Sequence, residues 1–256
     1  MWLSVVDGID GALAGVYERD FPRAAALLHS AADSARTVGM FDAALLSEAQ
    51  LGLVLVLSGA VSDGLRLLDG ATTAAVSGEI GDPSSAVAVC CLLTAACLSI
   101  RDLARAAEWS QYAWDLAADR GGGTLFDYPR TDRAALRILQ GDWPGAEQDL
   151  RDVIEGTQGW SRPAALARLH LADLSRRRGR FEQASALLAE VSVSSGRGAL
   201  GPLILLTQSH LALDREDFGA AQTTAQSCLL VCGIVGEVHR LVRVGPAVVQ
   251  DHVVVA

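Results

Sequence analysis

Lysine and asparagine are missing from this 256-residue sequence, so all 21 basic side chains are arginines. These gaps exclude a Schiff-base lysine, a phosphate-loop lysine and an asparagine acceptor for N-glycosylation. Both missing amino acids have A-rich codons, which points to a GC-rich genome. Positive charge is scarce, with 21 basic against 30 acidic residues, and the acidic excess lies in the first two thirds. A chain of net charge −9 with no basic stripe is a poor binder by counterion release, so no direct nucleic-acid binding is expected.

Cysteine is sparse and odd in number: Cys90, Cys91, Cys97, Cys228 and Cys232, all in apolar, helix-like runs. That usage predicts reduced core thiols and a cytoplasmic setting. Cys228 and Cys232 share a helical face and His239 follows, but a zinc site needs about four convergent ligands. No metal or cofactor is expected. Long apolar runs are lacking too. The longest, Ala86 to Leu98, has 13 residues between Asp82 and Arg101, short of the roughly 20 that span a bilayer. It reads as a buried core helix, with no membrane partner. Met1-Trp2-Leu3-Ser4 lacks the basic start of a signal peptide.

What the chain does have is a repeat. A polar residue, an apolar anchor, two variable positions and a small residue recur as Asp20-Phe21-Pro-Arg-Ala24, Ala60-Val61-Ser-Asp-Gly64 and Asp102-Leu103-Ala-Arg-Ala106. The series continues as Asp142-Trp143-Pro-Gly-Ala146, Arg180-Phe181-Glu-Gln-Ala184 and Asp217-Phe218-Gly-Ala-Ala221. The anchors Phe21, Val61, Leu103, Trp143, Phe181 and Phe218 are 40, 42, 40, 38 and 37 residues apart. Such a period marks stacked supersecondary units.

Each anchor lies between two helical runs, as in Ala164 to Leu174 and Ala184 to Val191 around Phe181; Ala184, Leu187, Leu188 and Val191 share one helical face. The corners therefore read as turns between antiparallel helices. Glycine supplies the left-handed stop, the anchor wedges between the pair, and the small residue lets the helices approach. Pro22 and Pro144 stand where a helix is starting. The run Arg176-Arg177-Arg178-Gly179-Arg180 reads as a helix C-terminus, with cations against the dipole. The expected fold is all-α: an α-solenoid of about six helical hairpins over residues 1–235, wound as a right-handed superhelix. Residues 236–256 are β-branched and lack a helical period, so a strand-like or disordered tail is expected. Such a tail caps a solenoid poorly, which leaves a homodimer through that end open.

The corners, Gly141-Asp142-Trp143-Pro144-Gly145-Ala146-Glu147 above all, resemble tetratricopeptide repeats with a lengthened period. With Gly52 to Gly59, Gly64 to Ala71, Cys90-Cys91-Leu92, Arg105 to Trp109 and Leu171 to Arg180, the chain resembles the TPR-like region of actinobacterial LuxR-type regulators. The resemblance implies a role in transcription regulation. The chain departs from that family in lacking the ATPase module, whose loop needs a lysine, and the helix-turn-helix. In place of the family's Cys-Arg pair before the third hairpin stand Pro129-Arg130 and Asp132-Arg133.

No catalytic constellation emerges. There is no Gly-x-Ser-x-Gly elbow, and Gly121-Gly122-Gly123-Thr124 reads as a loop. His170 with Asp173 and His210 with Asp214 read as surface pairs. Asp149, Asp152 and Glu155 read as one solvated helix face. Seven of the 13 aromatic residues lie between positions 109 and 160, which core packing alone can account for. Three of them, Tyr112, Phe126 and Tyr128, with Arg130 and Arg133, are candidates to line a concave groove for a peptide or small organic acid. The function expected is a non-enzymatic, regulatory interaction module that binds a protein or peptide partner on its concave face. The alternative is a small-molecule site, ligand-sensing or catalytic, in an aromatic and arginine-lined cavity.

Overall fold

A computed structural model describes residues 20–119, 123–157, 161–195 and 200–231. The described residues are all-helical, without a strand. Eleven α-helices follow in order: α1 Phe21–Thr37, α2 Phe41–Leu57, α3 Val61–Ser77, α4 Pro83–Ser99, α5 Leu103–Asp119, α6 Asp127–Gln140, α7 Trp143–Gly156, α8 Arg162–Arg177, α9 Phe181–Ser195, α10 Gly201–Asp214 and α11 Phe218–Val231. A 3₁₀ turn, Gly123–Phe126, leads into α6.

Every anchor is the first residue of a helix: Phe21, Val61, Leu103, Trp143, Phe181 and Phe218 open α1, α3, α5, α7, α9 and α11. The polar residue before the anchor explains why the helix starts there. Carboxylates of Asp20, Asp102, Asp142 and Asp217 accept from the backbone N–H groups of Arg23, Arg105, Gly145 and Ala220, at 3.0 to 3.2 Å. These are N-caps that satisfy otherwise orphaned donors. Two residues before the anchor, the chain turns through the left-handed region at Gly59 (φ 98°), Arg101 (64°), Gly141 (84°), Gly179 (73°) and Glu216 (60°). Glycine fills this position at three corners as expected; Arg101 and Glu216 adopt the same conformation at the other two.

The small residue of the motif marks where two helices cross. Ala24, Ala106, Ala146 and Ala184 are fully buried and Ala221 nearly so. From the second copy of the motif onward, each small residue has a small, buried counterpart 12 residues earlier: Gly52 with Gly64, Thr94 with Ala106, Ala134 with Ala146, Ala172 with Ala184 and Ser209 with Ala221. At one crossing the Ser209 hydroxyl donates to the Ala221 carbonyl at 3.2 Å. At another, a Cβ on Gly64 would stand 2.4 Å from the Gly52 carbonyl oxygen and 2.7 Å from the Val56 nitrogen. The weakest copy of the motif therefore carries glycine where a Cβ would meet the facing backbone.

Helices α2, α4, α6, α8 and α10 are the first members of five pairs, completed by α3, α5, α7, α9 and α11. Each first helix packs on its own partner, on the second helix before it and on the neighbouring first helices. Second helices, α1 among them, pack essentially only on first helices. A sixth pair would need a helix before α1, and residues 1–19 lie outside the described residues, as does the proposed tail, 236–256.

Helix α8 shows why first helices are apolar on more than one side. Its Ala164, Ala167, Leu171 and Leu174 join α6 and α7, while Ala165, Leu169 and Ala172 join α9 and α10. An amphipathic stripe suffices for a helix covered on one side, but a sandwiched helix needs two. Helix α4, the expected core helix, buries Val89, Cys90, Leu93, Ala96 and Cys97 completely. Phe41–Ser58 is the one segment among the described residues long and apolar enough, by length and composition, to cross a membrane; in this fold it packs against α1, α3 and α4.

Candidate functional site

The five first helices leave one common side open. Residues 15, 11, 8 and 4 positions before each anchor are half-buried or exposed and never fully buried, whereas residues 14, 9 and 7 before it always are buried. The open strip reads Leu46, Gln50, Leu53, Leu57 on α2; Ala88, Leu92, Ala95, Ser99 on α4; and Tyr128, Asp132, Ala135, Leu139 on α6. It continues as Leu166, His170, Asp173, Arg177 on α8 and Leu203, Thr207, His210, Asp214 on α10. Apolar at its start, the strip becomes polar and titratable from α6 onward.

Burial dominates the electrostatics at its middle. It pushes the Asp132 carboxyl up to about 7, against a hydrogen bond from the Cys91 thiol. Burial also raises Tyr128 to about 12, helped by Cys91, Asp132 and Asp127, and takes Cys91 well above the usual thiol range. The His170 imidazole, in the same register as Asp132 one first helix on, is held below its ordinary value by burial, with Asp173 opposing. Near neutral pH this stretch carries little net charge although it is rich in hydrogen-bonding groups. Among the described residues Asp132 has no ion-pair partner.

The five candidates drawn from the aromatic cluster do not share one place. Phe126, Arg130 and Arg133 gather around Trp114 of α5. The rings of Trp114 and Phe126 lie 4.6 Å apart, the Arg133 guanidinium is 3.8 Å from the Trp114 ring centre, and Arg130 is 5.7 Å from both rings. These arginines are engaged with α7: Arg133 donates twice to Asp149, at 2.9 and 2.6 Å, and Arg130 lies 3.7 Å from Asp152. Tyr128 belongs to the open strip, two residues and about 200° of helix from Arg130. Tyr112 packs edge-on against Trp109, 5.5 Å between centroids, and is similarly turned away from Trp114.

Asp149, expected on a solvated face, is instead buried between Arg133 and Arg137, the latter donating to it at 2.7 Å. The reason is its place opposite α6, where only a carboxylate satisfies two inward arginines. Nor do the histidines take the carboxylates expected for them: Asp173 accepts from Arg176 and Arg177, and Asp214 accepts from Arg176. The arginine run does lie at the end of α8, and it also ties units together. Arg178 pairs with Glu147 and lies 5.8 Å from the Trp143 ring centre. One unit later, Arg215 pairs with Glu182 and lies 5.8 Å from the Phe181 ring centre. Both arginines stand three residues before an anchor and reach back to the previous one.

Cys90, Cys91 and Cys97 are free thiols, and the Cys228 thiol donates to the Pro202 carbonyl at 3.4 Å. Cys232, His239, Trp160 and the glycines 121–122 lie outside the described residues. Among the described residues no group of three or more His, Cys, Asp or Glu is placed to hold a metal ion. Sequence reasoning missed Gln50, Asp132 and His170 as residues of one register, since chemically unlike side chains show no motif. Counting back from the anchors would have found them. Compared with known proteins, the chain matches no family model and no curated protein.

Proposed function

We propose that this chain is a TPR-like α-solenoid, its hairpins stacked in a right-handed superhelix, and that it works as a non-enzymatic interaction module. Its open strip of first helices is the concave face and binds a protein or peptide partner. The observation that carries this reading is the strip itself: four positions that are never fully buried, repeated in register on five consecutive first helices. Twenty side chains in one unbroken band suit an extended polypeptide better than a compact metabolite. The apolar stretch, from Leu46 to Leu92, suits aliphatic side chains of the partner. The stretch from Tyr128 to His210 offers hydrogen-bonding groups to its backbone or polar side chains. A regulatory role in the cytoplasm, in the manner of the LuxR-type repeat regions that the sequence resembles, completes the proposal. The engagement of Arg130 and Arg133 with Asp149 and Asp152 weighs against an anion site at the aromatic cluster.

The test is photocrosslinking in cells that make the protein. A photoreactive amino acid replaces Leu92 or Ala135 on the strip, or Glu108 or Gln111 on the outer face of α5. The strip positions are expected to trap a polypeptide and the outer ones to trap none. Crosslinks from the outer positions alone, or a thermal shift with a metabolite and no polypeptide trapped on the strip, would overturn the reading.

A further inference from the structure

Arginines in this chain repeatedly stand where a carboxylate and an aromatic ring occur together. Arg133 has Asp149 and the Trp114 ring, Arg178 has Glu147 and Trp143, and Arg215 has Glu182 and Phe181. Arg130 has Asp152 with the rings of Trp114 and Phe126. A guanidinium suits such a place because its plane stacks on the ring while its edge donates to the carboxylate. Asp132 and Tyr128 are a carboxylate and a ring one turn apart on α6, both on the open strip, and among the described residues no guanidinium stands with them. Asp132 is also an exception among the carboxylates. Every other described carboxylate that is buried or half-buried has an arginine beside it or, for Asp42, the backbone N–H groups of Gly81 and Asp82. Asp132 has only the Cys91 thiol, a weak donor.

We propose that Asp132 and Tyr128 seat an arginine side chain of the polypeptide that occupies the open strip. This rests on the reading of the strip as a polypeptide-binding face and adds the partner's chemistry to it. Burial has already pushed the Asp132 carboxyl up to about 7, so an arriving guanidinium draws its proton off at little cost. No other strip position on α2, α4 or α6 carries a charge, and on α8 Arg177 is engaged by Asp173, so no free cation opposes the guanidinium there. The neighbouring His170 imidazole is held below its ordinary value by burial, which favours its neutral form. Spacing then sets the rest of the segment. Adjacent first helices packed at about 8–10 Å are crossed by about three residues of extended chain, at about 3.3 Å each. The segment therefore carries aliphatic side chains about three residues from the arginine, over Leu92 and Ala95 of α4, and about six residues from it, over Leu53 and Leu57 of α2.

Selection from a display library of random peptides, on the full wild-type chain and on Asp132→Asn, tests this. The peptides counted are those that crosslink to a photoreactive residue at Leu92 or Ala135, which confines the reading to the strip. Selection on the wild type is expected to fix an arginine at one position, with aliphatic residues to one side of it. Selection on Asp132→Asn is expected to lose the arginine and keep the aliphatic residues. In a selected peptide, exchanging the arginine for citrulline, its uncharged isostere, is expected to weaken binding to the wild type by about tenfold or more and to Asp132→Asn by less than about threefold. Tyr128→Leu is expected to weaken the arginine peptide by about two- to fivefold. Strip-bound peptides without a fixed arginine, or a citrulline loss that is the same in both proteins, would overturn the proposal and leave the strip reading standing. If no peptide crosslinks to the strip, the strip reading fails and the proposal falls with it.

Discussion

Two glycines on α3 should respond to alanine with opposite signs. Gly70 is exposed in mid-helix with nothing near its Cβ position, whereas a Cβ on Gly64 would meet the Gly52 carbonyl at 2.4 Å and the Val56 nitrogen at 2.7 Å. Gly70→Ala removes glycine's helix penalty and is expected to stabilise by about 0.5–1 kcal/mol. Gly64→Ala receives the same benefit but must force two backbones apart, since no flexible side chain is there to yield. Overpacking of this kind costs about 1–3 kcal/mol, and contact with backbone puts it at the upper end, for a net loss of about 1–2 kcal/mol. The other four crossings hold alanine, threonine or serine, so the hairpin can widen and the variant should still fold. At about 2–4 °C per kcal/mol for a chain of this size, the melting temperatures of the two variants should differ by roughly 3–12 °C. Thermal unfolding followed by circular dichroism measures the gap. Equal stabilisation by both substitutions would refute the close approach of α2 and α3, and with it the role given to the small residue in each unit.

Three further outcomes follow from the same geometry. Arg101→Gly and Glu216→Gly relieve left-handed backbone at side-chain-bearing residues, and each should raise the denaturation midpoint by up to about 1 kcal/mol in stability. Asp149→Asn leaves Arg133 and Arg137 without their shared carboxylate and should destabilise by about 2–4 kcal/mol, read by chemical denaturation. Asp132 holds its proton up to about pH 7 in the folded chain and loses it near 4 when unfolded, so the folded state binds the extra proton between those limits. Its contribution to stability therefore falls as pH rises from 4 to 7. The stability gained by Asp132→Asn should be absent below pH 4, grow across that window and level off above 7. A gain independent of pH would place Asp132 in ordinary solvent.

The corners were the legible part of the fold. A capping aspartate, an anchor and an alanine lie within five residues, so local chemistry writes them into the sequence, and all six anchors open helices. Arg101 and Glu216 hid two of the left-handed turns, because position in a repeat, and not residue type, selects that conformation there. The site was harder to read. Arg133 and Asp149 are 16 residues apart on different helices, and only packing makes them partners. Tyr128, one of the expected site residues, does reach the open strip, while Arg133 turns into the hairpin to pair with the buried Asp149 and Arg130 lies beside Asp152. Asp132 and His170 carry no local signature at all; their common place depends on register alone.

Among the described residues each helix pair makes its main contacts with adjacent pairs, and this has a consequence for how such a chain can change. Removing one whole period would bring together surfaces already shaped for each other: an arginine over an anchor, small residues at a crossing, leucines against leucines. Length is then a variable that duplication or deletion can adjust in steps of about 40 residues without exposing a new interior. Each step would lengthen or shorten the open strip by four side chains.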